Sequence, residues 1–188
     1  MAARLATLEA IETAVWRELA AAAQDRGHAW RFMALATVDG DGVDARTVVL
    51  RETDARRREL VFYSDARAGK IEQLAAHPAA TALLWSPALD WQLRLRLDVE
   101  VETDGLAVTA RWARVKMTPT ARDYLSPLTP GAPLQAAGTL PPAATRESFA
   151  VLTAHVRSVD WLELRAVGVE ARAGCSPSGA SRSPLSGA

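Results

Sequence analysis

Three cationic side chains and two hydroxyls stand where short apolar runs of this chain give way to polar ones. Arg46 and Arg51 flank Val48, Val49 and Leu50, while Tyr63, Ser64 and Lys70 follow the apolar run 60–62. A guanidinium and an ammonium brought to one place, with hydroxyls beside them, suit a phosphate, because ionised donors make the strongest hydrogen bonds to its oxygens. The chain has 20 arginines and only two lysines, so a lysine just past a strand-to-helix turn is not simply its usual basic residue. Taken alone, Arg46 reads better as a strand arginine paired with a neighbouring acid such as Asp44 or Glu52. Its coincidence with Lys70 favours the phosphate.

The elements that must hold these groups can be read from periodicity. Residues 31–38 and 43–51 are β-prone and meet at Asp39-Gly40-Asp41-Gly42, a strong hairpin signal. Residues 59–64 form a third strand, with the charged stretch 52–58 as its connection. The spacing of Ile71, Leu74 and Ala75 then turns helical, with Ser64 or Asp65 as the expected cap and Lys70 in the first turns. Free backbone N–H groups at such a helix start favour an anion. The run 80–85 reads as a strand buried on both faces. Residues 91–101 alternate strictly, placing Trp91, Leu93, Leu95, Leu97, Val99 and Val101 on one face and Gln92 on the other. Residues 106–115 have helical spacing, 146–155 are expected as a helix capped by Thr145, and 159–167 as the final strand. Leu5, Leu8, Ile11, Val15, Leu19 and Ala22 mark an amphipathic N-terminal helix over 5–26, with Gly27 as its stop. The class is α+β: five or six antiparallel strands in a closed or split β-barrel, since closure removes exposed edges, with peripheral helices.

Two strings resemble the pyridoxamine 5'-phosphate oxidase-like superfamily of flavin mononucleotide (FMN) binding split barrels. Residues 46–51 are similar to its R-x-V-L-L-K-like strand, and residues 62–70 to its F-Y-T/S-x-x-x-S-x-K turn. Leu84-Trp85 followed by Asp90-Trp91-Gln92-Leu93-Arg94 looks like its strand pair ending in a flavin-facing glutamine. The resemblance covers roughly residues 30 to 165, and several spaced motifs are more specific than one. It implies FMN as cofactor. Arg46, Thr47, Val48, Val49, Leu50, Arg51, Tyr63, Ser64 and Lys70 would bind the phosphate and ribityl chain, and Gln92 would meet the ring. It also implies a homodimer with FMN at the interface and two-electron oxidation or reduction of a small molecule. Residues 112–133 and 160–164 look most like the branch of FMN-binding, oxidase-like proteins without an assigned substrate. Arg51 stands where the oxidase has a lysine near flavin and substrate phosphate, which keeps the charge and alters the geometry. The family's His/Arg-containing segment after the last strand is replaced by residues 168–175, with Arg172 as a weak stand-in. That departure argues against a true pyridoxamine 5'-phosphate oxidase. A non-catalytic flavin or haem binder is the alternative from outside the enzyme class, and no side chain stands out as a general acid or base.

Composition sets the remaining bounds. The chain has 188 residues, 49% of them apolar, enough for one domain over 1–168. With 22 basic and 22 acidic residues, net charge gives no reason to expect nucleic acid or an anionic membrane surface. Arg56-Arg57-Arg58 reads as a solvated turn. The single cysteine, Cys175, excludes an internal disulfide and suits a cytoplasmic setting. The three histidines lack partners at metal spacing, so no metal site is expected. Charges interrupt the alanine-rich N-terminus, and no apolar run is long enough to span a bilayer. Five of the six tryptophans fall on apolar sides of their elements and read as core or dimer interface, and Trp85 is the one to watch. The Pro-rich segment 117–142 is too long for a simple connection. Residues 169–188 are rich in Gly, Ser, Pro and Ala and are expected to be disordered, so that their removal would leave thermal stability nearly unchanged.

Overall fold

The computed structural model describes residues 7–119, 121, 124, 125, 130, 148–164 and 171–175, the last of these by backbone alone. Helix α1 (Leu8–Gln24) begins at Thr7, whose hydroxyl accepts from the Ala10 amide at 3.1 Å, and ends at Asp25, whose carboxylate takes the Gly27 amide at 2.8 Å. Its buried stripe of Ile11, Ala14, Val15, Leu19 and Ala22 joins the main core. Leu8 is largely exposed, and Leu5 lies outside the described residues. A short 3-10 turn (Ala29–Arg31) follows, in which the buried Arg31 guanidinium donates to the carbonyls of Ala22 (3.2 Å) and Ala23 at the end of α1.

Seven antiparallel strands follow, with two helices between them. These are β1 (Phe32–Asp39), β2 (Gly42–Asp54), β3 (Glu59–Asp65), α2 (Gly69–Ala76), β4 (Ala79–Ser86), β5 (Trp91–Glu102), α3 (Gly105–Val115), β6 (Phe149–Glu163) and β7 (Ala171–Cys175). Asp39 pairs with Gly42 across a two-residue turn whose Gly40 has φ +59°, the left-handed conformation such turns require. The ladder order is β3-β2-β1-β4-β5-β6-β7, and β3 also pairs with β6. Six strands therefore close into a barrel. The long β6 makes the split: residues 149–155 pair with β3, whereas residues 159–163 pair with β7 instead.

The barrel fills with Leu35, Leu50, Phe62, Leu84, Leu93, Leu95, Leu152 and Trp161, all buried to at least 98%. A second cluster lies outside β3 and β6, where Val61, Phe149 and Val151 pack under Val108 and Val115 of α3. Phe149 is its centre, with the rings of Tyr63, Trp112 and Tyr124 at 5.1, 5.2 and 5.3 Å.

Several expectations are corrected. Residues 149–155 are strand, not helix: Ala150, Leu152, Ala154 and Val156 face the barrel core while Phe149 and Val151 face α3, which is period two. The final strand expected at 159–167 is the distal part of β6. β4 is buried on one face only, with Leu83 and Trp85 exposed on the other. The cap of α2 is Ala68, which offers no side-chain hydrogen bond, and Asp65 is instead engaged with Arg67. Arg58 of the basic run is a brace, pairing with Glu12 of α1 and donating to the Val156 carbonyl at 3.3 Å.

The tail expectation also changes. Residues 171–175 form β7, in register from Val159↔Cys175 to Glu163↔Ala171, while 176–188 lie outside the described residues. Deleting residues 169–188 would strip this ladder from β6. The expected result is a lower melting temperature, by about 2–4 °C for each kcal/mol lost in a chain of this size. Thermal denaturation of the truncated chain checks it.

Candidate functional site

Arg46 lies on the same face of β2 as the buried Val48 and Leu50, near the mouth of the barrel. Its guanidinium donates to the Leu35 carbonyl at 3.3 Å, to the Thr37 hydroxyl, to Gln73 Oε1 at 2.7 Å and to the Asp44 carboxylate. Thr37 also donates to Gln73 Oε1 at 2.7 Å, and the Gln73 amide donates to Asp44 at 3.3 Å. Gln73 thus ties α2 to β1 and β2. Its hydrogen bond and the Arg46 guanidinium hold Asp44 below the usual carboxylate range.

Lys70 projects from the first turn of α2, and its ammonium donates to the buried Ser64 Oγ at 2.9 Å. Burial, reinforced by the Arg46 guanidinium, pushes Lys70 below the ordinary lysine range, while Asp65 and Asp44 act the other way. Two cations therefore feel one another at this mouth. Beside them, α2 begins without a side-chain cap, and a Cβ added at Gly69 would meet open space. Partly dehydrated cations and an uncapped helix start make a place that a dianion would stabilise.

Tyr63 does not join this group. Adjacent strand residues face opposite ways, so Ser64 points to the barrel interior with Phe62 while Tyr63 points out beneath α3. The Tyr63 hydroxyl donates to Glu52 at 2.7 Å, and Glu52 also receives Arg111 at 3.0 Å and lies 3.8 Å from Arg114. Arg51 belongs here too, donating to the Tyr124 hydroxyl at 3.1 Å with its guanidinium 5.8 Å from the Tyr63 ring centre. Its Nε is buried without a hydrogen-bond partner.

Burial first, then the Glu52 hydrogen bond and charge, push the Tyr63 hydroxyl far above the ordinary tyrosine range. The folded protein then keeps a proton that the unfolded chain loses above pH of about 10, so this contribution to stability is full below that pH and falls as pH rises. Tyrosinate absorbance should show Tyr63 still protonated in the folded state at pH of about 10. Titration of Tyr63 at its ordinary value would contradict the Glu52 contact.

Thr47 and Val49 lie on the outer face of β2, where Val49 pairs with Phe32 and Thr47 with Ala34. Gln92 is on the outer face of β5, between Trp85 and Leu162. Ala34 pairs with Leu83, and continuing that register sets Phe32 beside Trp85. One row thus runs Val49, Phe32, Trp85, Gln92. Within one chain, Arg46, Ser64 and Lys70 come together, Arg51 and Tyr63 form a second group, and Thr47, Val49 and Gln92 lie on the outer wall. Val48 and Leu50 are barrel core.

Sequence reasoning passed over Thr37, Gln73, Glu52, Arg111 and Tyr124 as site groups. Gln73 had a signal, since it follows Lys70 by three residues on a helix and so shares its face. Among the described residues no cluster of His, Cys, Asp and Glu could hold a metal ion, and no helix is long and apolar enough to cross a membrane.

Residues 13–103 match the family model for the FMN-binding domain of pyridoxamine 5'-phosphate oxidase. The chain is 41% identical over 76 residues to the pyridoxine/pyridoxamine 5'-phosphate oxidase of Caulobacter vibrioides, covering 40% of this chain and 33% of that protein. It is 44% identical over 69 residues to the oxidase of Thermosynechococcus vestitus, covering 36% and 32%. The match thus spans about a third of the length of these relatives. In structure, a pyridoxamine 5'-phosphate oxidase-related, FMN-binding protein from Nostoc punctiforme superposes with TM-score 0.66 at 27% identity, covering 86% of this chain and 87% of that one. PhzG from Burkholderia lata shares the fold at TM-score 0.67 and 19% identity, covering 90% and 87%. FMN is the cofactor to which the matched domain corresponds, and two cations beside an uncapped helix start are a donor set whose chemistry suits a phosphate. Barrel topology, the matched domain and the agreement of the Nostoc structure over most of both chains lead to one assignment: residues 13–103 match the FMN-binding domain of the pyridoxamine 5'-phosphate oxidase family, in a chain with the fold of the FMN-binding split barrels.

Proposed function

We propose that the protein is an FMN-dependent oxidoreductase acting on a small molecule as a homodimer. The observation that carries this reading is the convergence of Arg46, Lys70 and Ser64 beside the uncapped start of α2. Arg46 and Lys70 neutralise the phosphate, Ser64 orients the Lys70 ammonium, and Gln92 offers an amide that both donates and accepts at the flavin ring. Bound flavin supplies the two-electron chemistry, and the protein supplies binding and orientation.

The outer wall supports a second copy of the chain. Phe32, Leu83 and Trp85 are each more than 40% exposed on adjoining strands of that wall. Apolar surface grouped in this way favours a partner. Gln92 shares this wall and is not hydrogen-bonded to the Arg46 group among the described residues, as expected of a site that draws on two chains. Arg51, half-buried and with no acid partner among the described residues, is the candidate to meet an anionic part of the substrate. A cytoplasmic setting suits the lone Cys175.

The protein as purified should carry a flavin absorbance spectrum and release FMN, identified by mass. Anaerobic addition of NADH or NADPH followed by oxygen or a candidate acceptor then tests turnover. Bound FMN that cycles with no donor or acceptor would assign a flavin-carrying module instead of an enzyme, and a colourless protein that takes up no FMN would remove the proposal altogether.

A further inference from the structure

Both terminal nitrogens of Arg46 are occupied by groups of its own chain. Its two terminal nitrogens reach Leu35 O, Thr37 Oγ1, Gln73 Oε1 and Asp44 Oδ2. A phosphate at this guanidinium takes a charge-assisted N–H donor, and of the two hydrogens on Nη2 one goes to Gln73 while the other is held by Asp44. The Asp44 side chain is half exposed, whereas that of Arg46 is mostly covered. The carboxylate can therefore swing into solvent while the guanidinium stays. Thr37 and Gln73 would keep Arg46 in place after such a swing, because neither of their contacts to it depends on Asp44.

Resting on the FMN reading above, we propose that Asp44 is an internal competitor of the phosphate: it occupies the Arg46 guanidinium and must release it for a phosphate ester to bind, which sets the affinity for FMN relative to riboflavin. Charge gives the same direction as geometry. A phosphate ester carries close to two negative charges at neutral pH, and a carboxylate left beside it is repelled. The same carboxylate offsets the repulsion from Arg46 that, after burial, lowers Lys70. Asp44 thereby favours the ligand-free site and opposes the phosphorylated ligand. Gln73 transmits the exchange to α2, since its side chain contacts both Asp44 and Arg46.

The test is flavin-fluorescence titration of the full chain with FMN and with riboflavin, for the parent, Asp44→Asn, Arg46→Gln and the double variant, with melting curves to show that each is folded. Asp44→Asn should tighten FMN by about fivefold, the scale of one exposed ion pair, and leave riboflavin unchanged. In the Arg46→Gln background the gain should disappear. Unchanged or weaker FMN binding by Asp44→Asn overturns the inference, as does an equal gain for riboflavin or a gain that persists without Arg46. Parent and variants that all fail to bind FMN would remove the cofactor reading itself, a result distinct from FMN bound equally well with and without the Asp44 charge.

Discussion

Lys70→Ala is expected to weaken FMN binding by about 1.5–3 kcal/mol, the range for a hydrogen bond to a charged group, or roughly tenfold to a hundredfold in Kd. Riboflavin, which lacks the phosphate, should bind almost as it does to the parent. Arg46→Ala should act in the same direction with a smaller effect, because breaking its Asp44 pair already opposes part of what the guanidinium gives the ligand. The order of the two effects is informative. Lys70 meets only Ser64 among side-chain acceptors in the described structure, so its charge is the more available one. Isothermal titration with both flavins measures this directly. Equal losses for FMN and riboflavin would mean that Lys70 and Arg46 act on the fold and not on the phosphate.

Trp161→Ala should cost about 3–5 kcal/mol of folding stability, the usual range for removing a large buried aromatic. Trp161 is 2% exposed, and its ring lies 5.4 Å from that of Trp91, which in turn is 6.2 Å from Trp30. A cavity there would open between the inner faces of β5 and β6, where Trp161 pairs with Leu93. Because a domain is stable by only about 5–15 kcal/mol in total, the variant should be close to unfolding at ordinary temperature. Urea denaturation gives the number, and a midpoint near that of the parent would show that the indole cluster does not support the barrel.

Local patterns carried most of the fold, and distant pairing explains what they missed. The alternation along β5 and the Asp39–Gly42 turn needed only neighbours in sequence. Residues 149–155 were ambiguous because Leu152 and Val156 are four apart, a spacing that suits a helix and a strand alike. What decides is that β3 and β5 both require a partner there, and neither is near in sequence. The same division holds in the site. Lys70 after Ser64 is a local signal, and so is Arg46 at the start of its apolar run. That Thr37 would stand opposite Asp44 depends on the register of β1 against β2, and without it the network around Arg46 cannot be drawn. Tyr63 stands apart from Ser64 because strand parity turns adjacent residues to opposite faces. The burial of only one face of β4 was less accessible, because an apolar outer wall and a buried one have the same composition.

The closing strand bears on how the molecule is made. Glu59 meets His155 and Asp65 meets Phe149, so shutting the barrel requires bringing together stretches separated by roughly ninety residues, an entropic cost that local elements do not face. Chains rich in such distant pairings fold slowly. During synthesis, β1 to β5 emerge well before β6, leaving β3 and β5 with open edges for the time it takes to translate the intervening segment. Nascent chains halted before Phe149 are the ones that would need a chaperone.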